Sequence, residues 1–246
     1  MNNQNININI HKQILQGHWL GSQPCEAAIV IGGNHDAIFE DLGAERVREL
    51  LCHGASRADP LAKVYYLCNE GADVKGLRVF GTPLNAANSK TSQNIAFQPA
   101  YGAQTGDDDP KLRAASQIPP GGLDILISHG PPAGVLDVGL GSPLLAEMAF
   151  RERPALHLFG HQHLAYGVAF DPTVGTLFVN AASCDGLMAP LHPPVVIDAY
   201  TRFFFSFLFL PRLFIVMAAF ALLPHCILSP LRTSASKPSH GPILML

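Results

Sequence analysis

"VIGGNHD", residues 30 to 36, closes an apolar run that begins at Ala27 and passes through two glycines to an amide, an imidazole and a carboxylate in succession. The run "AAIVIG" is continuous rather than alternating, the mark of a strand covered on both faces as in the parallel sheet of an α/β domain. Asn34, His35 and Asp36 then fall where that strand ends. In open α/β sheets the carboxyl ends of the strands are where ligands bind, because loops converge there over a rigid framework.

The same grammar recurs downstream. "LRVFG" from Leu77, "LDILISHG" from Leu123, "LHLFGHQH" from Leu156 and "TLFVNAA" from Thr176 all read as buried strands. Between them, "FEDLGAERVRELLCHG" carries Leu42, Val47, Leu50 and Leu51 near helical spacing and closes at Gly54. "SPLLAEMAFRERP" is a second helix, with Ser142 as N-cap, Pro143 in its first turn and Pro154 ending it. Residues 85 to 122, rich in Asn, Ser, Gly, Asp and Pro, read as a long loop shaping a pocket.

Three of these strand ends deliver metal-competent side chains: Asn34 with His35 and Asp36, then His129, then His161 and His163. Two histidines at i and i+2 on extended backbone share a face, with Cβ atoms about 7 Å apart. That separation suits imidazoles bound to two ions about 3.5–4 Å apart. His157 shares parity with His161 but reads as a core histidine, and Asn180, at a further strand end, is left open between lining the pocket and packing.

Composition narrows the function classes. Of the 246 residues 48% are hydrophobic, enough for a sizeable core, and the net charge is only −3 with no basic stripe, which argues against nucleic-acid binding. Charged residues make up 14%, below the roughly 25% of soluble domains. The deficit concentrates in residues 203 to 223, an apolar stretch long enough to cross a bilayer as a helix but interrupted by Pro211 and Arg212. A membrane span and a buried terminal helix both fit it. Five cysteines without a C-x-x-C pair argue against a zinc ribbon or a disulfide scaffold and, with no N-glycosylation acceptor and no signal-like start, point to a cytoplasmic, reducing interior. Three segments follow: a low-complexity Asn/Ile stretch over residues 1–14, disordered or strand-like at its start, a catalytic-type domain over 15–198, and an apolar segment with a polar tail over 199–246.

"GNHD", "SHGPP" and "GHQH", in that order between α/β elements, resemble the last three motifs of the calcineurin-like metallophosphoesterases. The flanks "LCNEGADVKGLRVFGTP", "HGPPAGVLD" and "LFVNAASCDG" resemble in particular the metallophosphoesterase-domain proteins of the 239FB type. The resemblance implies a four-layer α/β/β/α sandwich and metal-dependent hydrolysis of phosphomonoesters or phosphodiesters, nucleotides and cyclic nucleotides among them. It implies divalent manganese, iron or zinc, with Asn34, His129 and His161 on one ion and His163 on the other. His35 would protonate the leaving group, and Asp36 would fix its tautomer.

The family pattern also begins with Asp-x-His and Gly-Asp motifs, and neither occurs upstream of Gly32. Their absence implies a sandwich lacking its first strands, an unpaired sheet edge, one ion where the complete site holds two, and impaired catalysis. Asp107 to Asp109 read as a solvated loop rather than a replacement carboxylate source. The alternative is a non-catalytic, membrane-tethered remnant that binds a metal or a nucleotide.

Overall fold

The computed structural model describes residues 3–87, 90–103, 108–200, 212–217 and 243–245. Among the described residues eleven strands lie in two sheets. The six-stranded sheet comprises β3 (Glu70–Val74), β4 (Leu77–Thr82), β5 (Ile125–Ser128), β6 (Leu156–Phe159), β7 (Gly167–Asp171) and β8 (Thr176–Asn180), ordered β3-β4-β5-β6-β8-β7. The five-stranded sheet comprises β1 (Ala27–Val30), β2 (Val64–Tyr66), β9 (Val195–Tyr200), β10 (Arg212–Met217) and β11 (Ile243–Met245), ordered β2-β1-β11-β10-β9.

The continuous apolar runs are explained by what covers each face. Along β1, Ala27 and Ile29 point into the core between the sheets with Val79, Ile125, Ile127, Leu156, Leu158 and Val179. Ala28 and Val30 point the other way, onto a cluster of Leu20, Phe39, Val47, Leu51 and Tyr66. That cluster is supplied in part by helices α1 (Asn3–Gly21), α2 (Ala37–Leu42) and α3 (Ala44–Ala58). In the other sheet, Leu126, Phe159 and Phe178 face α4 (Pro110–Ala115) and α5 (Pro143–Glu152) through Leu112, Leu145 and Met148. The layers are therefore α/β/β/α, and burying each large aliphatic side chain contributes on the order of 1.5–3 kcal/mol.

Four expectations are corrected. The Asn/Ile stretch is helical from Asn3, because α1 docks along α3. Gly54 does not end its helix but lies inside α3, where a Cβ would stand 2.1 Å from the Ile14 carbonyl oxygen; the missing side chain lets the two helices touch. The 85–122 loop contains α4, whose N-cap Asp109 accepts from the Lys111 and Ala100 amides at 2.7 Å each. Finally, the free edge of β1 is taken by β11 in parallel, with β10 and β9 beyond it. The centre of the apolar stretch is thus a strand, paired antiparallel from Arg212 opposite Tyr200 to Met217 opposite Val195. Among the described residues no helix is long and apolar enough to cross a membrane, and the remainder of 203–223 lies outside them.

Candidate metal centre

β5 and β6 are parallel neighbours, with Ile125 opposite Leu156 and Ile127 opposite Leu158, so the loops leaving them rise side by side. β1 belongs to the other sheet and ends toward the same place. As a result Asn34 Oδ1 lies 2.8 Å from His129 Nε2, and His129 Nε2 lies 3.1 Å from His161 Nδ1. The two rings are 4.8 Å apart at 58°.

Local contacts fix each donor. Asn34 is buried and donates from Nδ2 to the Asn94 carbonyl at 3.2 Å, which turns its oxygen toward His129. His129 lies against Gly33, where a Cβ would stand 2.5 Å from its Cε1 and Nδ1. Its carbonyl accepts from the Gly160 amide at 3.0 Å and ties the β5 loop to the β6 loop.

His161 departs from the extended geometry expected of "GHQH". Its φ is +68°, and the Gln162 amide donates to the Gly160 carbonyl at 2.7 Å, so His161 is the centre of a γ-turn of the strained, positive-φ kind. A non-glycine residue held this way costs of order 1–3 kcal/mol and persists only where its surroundings over-determine it. The turn aims Nδ1 of His161 at His129, while His163 opens a 3₁₀ turn and donates from Nδ1 to the Asp185 carbonyl at 3.0 Å. Nε2 of His163 takes no part in that bond.

His35 reaches solvent but its ring is partly covered by the protein; that partial burial first, and then the neighbouring His163, lower its pKa. Asp36, expected to orient this ring, is bonded elsewhere in the structure. The carboxylate accepts from the Gly33 amide at 2.8 Å, and no hydrogen bond joins it to His35. Burial pushes Asp36 up to about 6, against the lowering effect of the Gly33 N–H. His129 is held well below the usual imidazole range by burial and then by His161, His35 and His163. His161 is lowered to about 4 by burial, then by His163 and His35. Both rings are therefore neutral near pH 7, with lone pairs to give.

The donor set fits one divalent cation. Ligands at about 2.1 Å from an ion stand about 3.4 Å apart in tetrahedral geometry and about 3.0 Å apart at right angles, and the 2.8 and 3.1 Å from His129 to Asn34 and to His161 match the second. Two imidazole nitrogens and one amide oxygen suit a borderline transition ion. Among the described residues no group of three or more His, Cys, Asp or Glu could hold a metal, so the amide of Asn34 is needed to complete a third ligand. Asp109, spent on capping α4, is not part of the centre.

The model of the calcineurin-like phosphoesterase domain matches residues 9–165, the stretch containing all of these groups. The chain belongs to the calcineurin-like phosphoesterase family. Members are metal-dependent hydrolases of small phosphoesters. Among similar calcineurin-like proteins is human metallophosphoesterase domain-containing protein 1, 35% identical over 207 residues that cover 74% of this chain and 58% of that protein. A UPF0046 protein of Caenorhabditis elegans is 29% identical over 193 residues, covering 73% and 64%. The chain thus spans less than two thirds of the length of either relative. A crystal structure of TT1561 of Thermus thermophilus aligns over 70% of each chain at 16% identity with a TM-score of 0.46.

Sequence reasoning missed the supports. His157 is a fully buried core residue, as its strand position suggested, but it also bonds Ser128, the neighbour of His129. Asn180 is fully buried and reaches the Gln162 backbone between the two loop histidines. The signals in the sequence were a polar residue inside the apolar β6 run for His157 and one closing β8 for Asn180.

Proposed function

We propose that this chain hydrolyses small phosphoric esters, with one divalent cation held by Asn34, His129 and His161. The observation that supports this reading most is the approach of Asn34 and His161 to His129, at 2.8 and 3.1 Å, from three strand ends in two sheets. When bound, the cation supplies Lewis-acid polarisation of a phosphoryl oxygen and a lowered pKa for water. His163 would hold a second ion through Nε2. His35, facing solvent, protonates the leaving oxygen, and Asp36 holds the Gly33 turn that carries Asn34.

The substrates are phosphomonoesters and phosphodiesters, nucleotides and cyclic nucleotides among them, on the strength of the motif resemblance. A single well-supplied cation position makes turnover slow. The cysteine pattern supports action in a reducing cell interior. The test is hydrolysis of p-nitrophenyl phosphate and bis-p-nitrophenyl phosphate with and without added Mn²⁺: slow, manganese-dependent release supports the reading, and strong turnover in chelator overturns it. A second reading, a metal- or nucleotide-binding remnant without turnover, is favoured by the small donor set, two imidazoles and one amide with no carboxylate among them. Cation binding with no ester hydrolysis would select it.

A further inference from the structure

The γ-turn at His161 is held by more than its own preference, and besides the backbone bonds of Gly160, Gln162 and Ala165 the end of β8 contributes a side chain. Asn180, the last residue of β8 and fully buried, donates from Nδ2 to the Gln162 carbonyl at 2.9 Å and to the Leu136 carbonyl at 3.2 Å. Its Oδ1 accepts from the Ala182 amide at 3.1 Å. Both amide protons are therefore used, and one holds the residue between His161 and His163.

The second contact anchors the clamp. Leu136, itself at φ +49°, lies in a loop gathered by Asp137, whose carboxylate accepts from the amides of Gly134, Gly139 and Gly141 at 2.8–3.1 Å. Asn180 thus joins a strained turn, whose Gln162 carbonyl also accepts from the Ala165 amide at 3.1 Å, to a loop fixed by three hydrogen bonds. Without the amide, two backbone carbonyls would lose a donor, and the turn would relax toward ordinary backbone, swinging the His161 ring away from His129.

We propose that Asn180 is a positioning residue, locking the His161–Gln162–His163 turn so that the two imidazoles are presented to the centre in a fixed arrangement. The metal-facing part of this rests on the function proposed above; the clamp itself does not. N180D keeps the volume and the acceptor for Ala182 but cannot donate to either carbonyl, and N180A removes the group. T176V is the control: Thr176 is also fully buried on β8 and donates to the Pro154 carbonyl at 2.7 Å, away from the turn.

In metal-free protein, amide hydrogen exchange across residues 160–165 should accelerate at least about tenfold in N180D or N180A and stay unchanged in T176V. Mn²⁺ affinity, measured by calorimetry, should fall about 10- to 100-fold in the Asn180 variants alone, the usual effect of losing a group that orients a ligand. Unchanged exchange at the turn overturns the clamp whatever the metal does. A wild type that takes up no Mn²⁺ removes the metal reading while exchange still decides the clamp. If neither variant folds, the wild type decides by NMR: slowly exchanging Asn180 side-chain amide protons support the proposal, and fast-exchanging ones contradict it.

Discussion

Ser128 Oγ lies 2.8 Å from His157 Nε2 and gives its single proton to the Gly130 carbonyl at 2.7 Å, so the histidine must be the donor in that pair. The ring is then the neutral Nε2–H tautomer. Its Nδ1 is a buried acceptor with no partner, packed among the rings of Phe159 and Phe178. Burial alone lowers its pKa to about 3. The chain Ser128–Gly130 brackets His129, so a core residue stiffens the centre from beneath.

Acid should therefore destabilise the metal-free protein well above the pH of ordinary acid denaturation. His157 is neutral when folded and takes a proton near 6.5 when unfolded, so its contribution is complete above that pH and is lost as pH falls toward about 3. The slope is up to roughly 1.4 kcal/mol per pH unit for each such histidine. His129 and His161 act in the same sense. Asp36 acts oppositely: with its folded pKa raised to about 6, it gains a proton in the native state first, and its contribution is lost as pH rises. Three histidines against one carboxyl predict net loss. Urea midpoints between pH 7.5 and 4.5 should fall in the wild type and fall less steeply in H157F; equal slopes would contradict the assignment.

Gly33 and His129 should couple strongly. A methyl on Gly33 meets the imidazole at 2.5 Å, so G33A in the wild type must move the ring, at a cost of about 1–3 kcal/mol. In an H129A background the same substitution should cost almost nothing. A double-mutant cycle in denaturant measures the difference, and additive effects would mean that the two groups do not touch.

The protonation of His35 should be independent of Asp36. The carboxylate is engaged by the Gly33 amide, and the influences on His35 are burial and His163. An NMR titration of His35 in D36N should reproduce the wild-type midpoint, whereas H163A should raise it. A large shift in D36N would restore the steering role expected from the sequence.

Much of this was legible because it is local. The runs at Ala27, Ile125 and Leu156 are short, continuous and apolar, and each is followed by a glycine or serine and then a polar group, so both the strands and the residues at their ends could be read from spacing. The layers follow from the same runs being covered twice. The γ-turn at His161 was not legible, since it depends on Gly160, Gln162 and a donor from Asn180 on another strand. Nor was the destination of Asp36, because an acceptor beside both a histidine and a backbone amide satisfies either equally well on paper. The pairing of Arg212–Met217 with Val195–Tyr200 depends on partners outside the run, and a purely apolar stretch carries no period that separates strand from helix.

The most direct measurement is Mn²⁺ binding to chelator-treated protein by calorimetry and elemental analysis, for the wild type and for N34A, H129A and H161A. The account predicts one site per chain in the wild type and its loss in each variant, with cooperative melting retained. Absence of binding in the wild type, or full binding by H129A, would contradict it.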